Sequence, residues 1–224
     1  MRLSIVIPVL NEADGLPGLL DELHSMQRRG TEVIVVDGGS TDGTVAAAAR
    51  AGVRICRTPA GRALQMNAGA RVARGDVLLF LHADTSPPPC ADQLIVAALA
   101  RGARVWGRFD VKIAGRSRML RVVAWLMNLR SRFTGIATGD QGIFVTREAF
   151  AAVNGFPEQP LMEDIEISRR LHRRSRPVCL TEMATTSGRR WDRRGVWRTI
   201  FLMWRIRLAY WCGKPADKLA KGYL

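Results

Sequence analysis

LSIVIPVLNEADG, residues 3–15, opens on a nearly unbroken apolar, β-branched run and then turns abruptly polar. A run without polar alternation suits a strand covered on both faces, as in a parallel sheet. Working outward, Leu16, Leu19, Leu20 and Leu23 fall at i, i+3, i+4 and i+7, one apolar helix face, with Asn11 or Asp14 as cap candidates and Gly30 as the stop. EVIVVDGG (32–39) predicts a second buried strand, followed by Ser40, Thr41 and Asp42 as cap candidates before an alanine-rich helix over 45–51. A short strand over 53–57, a helix over 62–73 and the strand DVLLFL (76–81) continue the alternation. The expected fold is α/β, with a mostly parallel, Rossmann-like central sheet, helices on both faces and right-handed crossovers.

The rhythm breaks near residue 100. After a helix over 90–100 come RVWGRFDVKI (104–113) with period-2 features, a long amphipathic segment over 116–132, a short strand QGIFV (141–145) and a polar helix over 163–174 with Ile165, Ile167 and Leu171 as its apolar positions. No glycine- or serine-rich spacer intervenes, so this is a change of lobe within one domain. The expected organisation is a catalytic domain over 1–190, with a ligand-binding half (1–100) and an acceptor half (101–190), then a C-terminal amphipathic helix and polar tail over 191–224.

The 224 residues suffice for one sizeable core. Cys56, Cys90, Cys179 and Cys212 are scattered, as separate thiols are. The apolar stretch 199–211 carries Arg205 and Arg207 and is shorter than the roughly 20 residues a membrane span needs. No leader precedes the first strand, and a cytoplasmic location is expected. The net charge of +14, from 34 Lys and Arg against 20 Asp and Glu, fits solvated charge, nucleic acid, anionic lipid or a phosphorylated substrate.

Ligands of parallel sheets bind beyond the carboxyl ends of the strands. There the chain places PVLNEADG, DGGSTDGT, TPAGRALQMNAGA and HADTSPPP, all polar and rich in Gly, Asn or Asp. A strand-end Asp can accept hydrogen bonds from a base or ribose, and Arg62 can meet a phosphate with a fork of donors. Singly each loop is weak: Asp42 also reads as a cap, and His82-Ala83-Asp84 as a strand end before prolines.

IVIPVLNE, VIVVDGGSTDGT, GRALQMNAG and LLFLHADT, in this order, resemble the signature of family 2 glycosyltransferases with the GT-A fold, over roughly residues 3–190. Within that family the chain looks most similar to small bacterial members called transferase 2, associated with radical-SAM and selenium-related gene neighbourhoods and also labelled arsenosugar-biosynthesis glycosyltransferases. The resemblance implies a nucleotide-diphospho-sugar donor, expected to be UDP-linked, and inverting transfer to a hydroxyl or similar nucleophile of a small-molecule or lipid acceptor. It puts Pro8, Asn11 and Glu12 beside the nucleotide, Asp37 with Gly39 at the base, and Arg62 and Asn67 near the diphosphate and ribose. Gly38 stands where an Asp is commoner. Asp84 matches the last Asp of the metal-binding Asp-x-Asp motif, and His82 replaces the first. The Glu163-Asp164 pair matches the family's acceptor-side Glu-Asp, which makes Asp164 the general base, with Glu163 and Glu166 as competing carboxylates.

A divalent ion can neutralise the charge that develops on a departing diphosphate. Mn²⁺ or Mg²⁺ is the expected cofactor, with Asp84 as ligand; His82 is a further ligand or a hydrogen-bonding group, and imidazole suits Mn²⁺ better. Asp140 and Gln141 of GDQGIF either bind acceptor or sugar hydroxyls or form a tight turn. SGRRW (187–191) faintly resembles the Arg-Trp element of processive relatives, making Arg189, Arg190 and Trp191 candidates beside the diphosphate and acceptor. Residues 192–213 alternate Trp, Phe and Leu with Arg. Such a helix lies on anionic lipid, at the inner face of the membrane, or packs on the catalytic lobe, or pairs two subunits in a homodimer.

Competing readings rank lower. A nucleotidyltransferase needs a Gly- and Arg-rich loop after the first strand, and a nicotinamide dehydrogenase needs G-x-G-x-x-G there. The alternative of another class is a basic membrane-surface or nucleic-acid-binding protein that keeps the fold without transfer; no nucleic-acid motif supports a nucleic-acid partner.

Overall fold

Every residue of β1 (Leu3–Val9) is buried, because the strand sits near the middle of a sheet covered on both faces. The computed structural model describes residues 1–220. The elements that follow are α1 (Leu16–Arg28), β2 (Glu32–Asp37), α2 (Thr44–Arg50), β3 (Arg54–Arg57), α3 (Arg62–Val72), β4 (Val77–Phe80), β5 (Thr85–Ser86) and α4 (Ala91–Ala100). The second half contains β6 (Trp106–Ala114), α5 (Met119–Thr134), β7 (Ile143–Thr146), α6 (Arg147–Ala152), α7 (Glu163–His172), β8 (Val178–Ser187), α8 (Arg189–Arg194), α9 (Val196–Trp211) and α10 (Ala216–Ala220).

The sheet order is β3-β2-β1-β4-β7-β6-β8-β5. The first four strands run parallel, β7 is antiparallel to both β4 and β6, and β8 is parallel to β6. Alternate side chains feed two cores, as strand periodicity requires. Ile5, Ile7, Val33 and Val35 meet Leu16, Leu20 and Leu23 of α1 and Ile95 of α4. Val6, Ile34 and Val36 meet Ala63 and Met66 of α3 and Ile167 of α7. A Cβ on Gly69 would collide with Val6 and lie 2.9 Å from Val36, so a glycine here lets α3 press onto the sheet.

Several expectations need correction. Gly15 and Gly43 occupy the N-cap positions of α1 and α2 without side-chain caps; Asp42 instead accepts hydrogen bonds from Thr44, two residues on. The amphipathic segment after residue 191 is two helices, broken at Gly195, whose φ of +81° a side chain would resist. The polar tail contains α10; its residues 221–224 lie outside the described residues. β8 went unpredicted, although it is ten residues long and pairs with β6 and β5.

α9 answers part of the question its sequence raised. Val196 and Ile200 pack beside Leu120 and Val123 of α5, and Ile206 is buried with Met162 and Ile165. Its opposite face, Trp197, Phe201, Trp204, Leu208 and Trp211, is exposed.

Candidate active site

The loops after β1 and β2 are tied to one another through their polar side chains. Asn11 adopts φ +55°, a left-handed conformation that Asn tolerates, and its Oδ1 accepts from Thr41 N at 2.9 Å while its own N donates to Ser40 Oγ at 2.9 Å. Glu12 N donates to Thr44 Oγ1 at 2.8 Å. Pro8 and Asp37 are buried at the carboxyl ends of β1 and β2, and Asp37 accepts from Gly39 N (3.2 Å) and Ser40 N (3.0 Å). Gln65, not among the residues singled out by motif, donates from Nε2 to Val9 O and Val36 O, both at 2.8 Å, and so locks the two strand ends together. A Cβ on Gly38 would come within 3.1 Å of this amide.

Beyond β4, His82, Asp84 and Asp140 each offer a ligand atom, and the three atoms lie within 4.8 Å of one another. His82 Nδ1 is 3.4 Å from Asp140 Oδ1. The sequence assigned Asp140 to the acceptor side, whereas the structure sets it beside His82 and Asp84. β8 braces this corner: Ser187 N donates to Asp84 O at 3.0 Å, and Thr186 Oγ1 to Asp140 Oδ1 at 3.5 Å. Burial would raise the Asp140 carboxyl, but His82, Arg62 and Arg190 outweigh it and hold the group below its usual range. The His82 imidazole sits so close to Gly139 that any Cβ there would strike it.

Asp164 stands next to this cluster at the first turn of α7, its Oδ2 accepting from Gly139 N at 3.0 Å. A small cavity between them is lined by Met66, Phe80, His82, Ile143, Phe156 and Asp164. The competing carboxylates are paired with arginines, although Glu163 also lines this cavity. Glu166 pairs with Arg170 (3.1 Å) and Arg169 (3.4 Å) on its own helix. Glu163 is buried against Arg62 at 3.1 Å. Burial and Asp164 raise the Glu163 carboxyl, against the pull of Arg62. Burial alone would lower the Arg62 guanidinium, but Glu163, Asp164 and Asp140 raise it.

α8 reaches back over the cleft. Arg189 Nη2 lies 3.5 Å from Glu12 Oε2, joining the C-terminal half to the first loop. Burial pulls the Arg190 guanidinium down, with Asp140 and Asp84 acting in the opposite sense, which places it in electrostatic range of both carboxylates. Burial also raises Glu12, with Asp84 and Asp42 adding to that effect and Arg189 opposing it.

Three predicted site residues face elsewhere. Both ends of the Asn67 amide are spent on the Phe156 backbone, at 2.9 Å each. Gln141 is fully buried; its Oε1 accepts from Thr138 N (3.1 Å) and its Nε2 donates to Asn128 Oδ1 (3.3 Å), which makes it the pin of the turn. Trp191 packs against the apolar cluster of Val111, Leu120 and Val123. Long amide and indole side chains that satisfy buried backbone or fill a core are not visible as such in a sequence.

Residues 4–154 match the family described as Glycosyl transferase family 2. An undecaprenyl-phosphate 4-deoxy-4-formamido-L-arabinose transferase of Pseudomonas fluorescens is 32% identical over 154 residues, 62% of this chain and 44% of the relative. The chain thus spans less than half the length of that curated relative. A mannosyltransferase from Pyrobaculum calidifontis, solved with GDP-Man and Mn²⁺, superposes with a TM-score of 0.64 at 25% identity, covering 93% of this chain and 61% of that one. A glucosyl-3-phosphoglycerate synthase from Mycobacterium tuberculosis, solved with Mg²⁺ and uridine-diphosphate, gives 0.59 at 19% identity, covering 83% and 69%; it is similar in fold. No helix among the described residues is long and apolar enough to cross a membrane.

Proposed function

The chain belongs to glycosyl transferase family 2, and on that premise we propose that it moves a sugar, with inversion, from a UDP-linked donor to a nucleophile of an acceptor, with the help of a divalent metal. The carrying observation is the convergence of His82, Asp84 and Asp140 on one point beside Asp164, at the carboxyl ends of the sheet strands. One imidazole nitrogen with two carboxylate oxygens fits Mn²⁺ better than Mg²⁺. When bound, such an ion neutralises charge that builds on the leaving diphosphate.

The chain's own residues divide the remaining work. Asp37 and Gly39 form the base end of the donor cleft, and Asn11 and Glu12 its wall. Arg62 and Arg190 face the diphosphate, supplying fixed positive charge where negative charge develops. Asp164 Oδ takes the proton of the attacking group; its hydrogen bond from Gly139 N fixes its direction. The neighbouring Glu163, tied to Arg62, positions that arginine rather than competing as the base.

For the acceptor, the name of the Pseudomonas fluorescens relative points to a lipid phosphate. Exposed aromatic and aliphatic side chains on α5 (Val122, Trp125, Leu126, Phe133) and α9 support a peripheral seat on a bilayer, with arginines among them to meet anionic headgroups. Membership of the small transferase 2 group is the finer part of the same proposal.

The test is a donor screen by mass spectrometry with Mn²⁺ present, reading cleavage of the sugar–diphosphate bond. Cleavage of one or a few nucleotide-sugars that ceases on chelation is the expected result. Inertness toward every nucleotide-sugar, alongside salt-sensitive binding to DNA or vesicles, would favour a binding protein instead.

A further inference from the structure

Nε and Nη2 of Arg130 on α5 and Nε of Arg207 on α9 are the only buried side-chain polar atoms without a hydrogen-bond partner among the described residues. Buried donors are satisfied almost everywhere in folded proteins, and a buried unpaired cation is costlier still. The lack of partners is local. Arg108, completely buried nearby, is matched by Asp110, Ser131 Oγ and Asn128 O.

Neither arginine is loosely held. Asn128 grips the Val111 backbone at both ends (2.8 and 3.0 Å) and fixes α5 on β6. Ile206, adjacent to Arg207, is buried against Met162 and Ile165, which flank the Glu163-Asp164 pair. Burial, with Arg207 and Arg108 beside it, pulls Arg130 down to about 10, and Asp164 opposes this. Burial lowers Arg207 as well, against Asp164 and Asp140. The two guanidinium groups therefore repel each other within electrostatic range of the carboxylate that faces the acceptor.

We propose that Arg130 and Arg207 form a binding site for the phosphate monoester of the acceptor. A monoester brings up to two negative charges and several acceptor oxygens, which match two planar guanidinium forks. The exposed apolar faces of α5 and α9, the helices that carry the pair, suit the hydrocarbon of a lipid ester. The inference rests on the transferase reading of the cleft, since it gives the site to that reaction's acceptor.

The test titrates the full chain, with UDP and Mn²⁺ present, with a prenyl monophosphate and separately with inorganic phosphate. Arg130→Gln and Arg207→Gln are each expected to weaken binding about tenfold or more, the effect of losing one charge-assisted hydrogen bond. The ligand-free variants should melt no lower than the wild type, because buried donors without partners are removed; a purely structural arginine would lower the melting temperature. Tighter binding of the prenyl ester assigns the site to a lipid headgroup, and equal binding to a soluble phosphate ester. Unchanged affinity in both variants overturns the proposal. Should a variant not fold, the wild type decides: melting that rises with prenyl monophosphate supports the site, and a flat response overturns it. UDP with Mn²⁺ reads the transferase reading separately, so failure of that reading is distinguishable from failure of the phosphate site.

Discussion

The donor side and the acceptor side of the cleft are built on opposite terms. On the donor side, Asn11, Asp37, Asp42 and Gln65 have protein partners already, and the loops after β1 and β2 are laced into one rim. On the proposed acceptor side, Nε and Nη2 of Arg130 and Nε of Arg207 are buried without partners, and the outer faces of α5 and α9 carry exposed aromatic side chains. The first region is finished by its own chain. The second leaves donors and apolar faces that its own chain does not cover, which fits the acceptor site proposed there.

The comparison breaks most visibly at Asp164, between the two sides. Asp164→Asn should lower turnover by about two orders of magnitude or more, the usual loss for a general base, with UDP affinity nearly intact. Steady-state rates beside a UDP titration check it, and equal loss of both would move Asp164 to the donor side. Gln65→Leu tests the laced rim. It removes the two hydrogen bonds the amide donates to the Val9 and Val36 carbonyls, the first of which still accepts from Gly38 N, and denaturant unfolding should show a loss of about 1–3 kcal/mol. Gly139→Ala should disturb the metal corner by forcing the His82 ring aside, and weaken Mn²⁺-dependent UDP binding more than UDP binding without metal.

The smallest expected effect is a pH dependence at Glu163. Its folded-state pKa is raised above the ordinary 4.5 by burial and Asp164. A raised carboxyl contributes stability that is full below its unfolded value and lost as pH rises through the folded value. Relative to Glu163→Gln, the wild type should therefore gain stability as pH falls from neutrality through that range. Melting curves for both proteins over the interval would show it, and parallel curves would contradict the assignment.

Much of the fold was legible because β1, β2 and β4 are apolar runs buried on both faces, and α1 carries a clean apolar stripe. β8 was not, since VCLTEMATTS is polar and half-exposed, and its pairing with β6 and β5 comes from residues far away in sequence. For the proposed site, motif and position single out Asp84, Arg62 and Asp164. The place of Asp140 beside His82 depends on how the Gly139–Gln141 turn folds against β8, which no local pattern encodes. Asn67 and Gln141 looked like ligand groups because a sequence does not show which buried backbone an amide will satisfy.

The proposed metal-assisted nucleotide-sugar site lies at His82, Asp84 and Asp140. Thermal denaturation of the wild type and Asp84→Ala, each with UDP and Mn²⁺, tests it most directly. The expected result is a melting temperature that rises with UDP and Mn²⁺ together in the wild type and does not rise in Asp84→Ala. An equal rise in both proteins, or no response of the wild type to any nucleoside diphosphate, would contradict it.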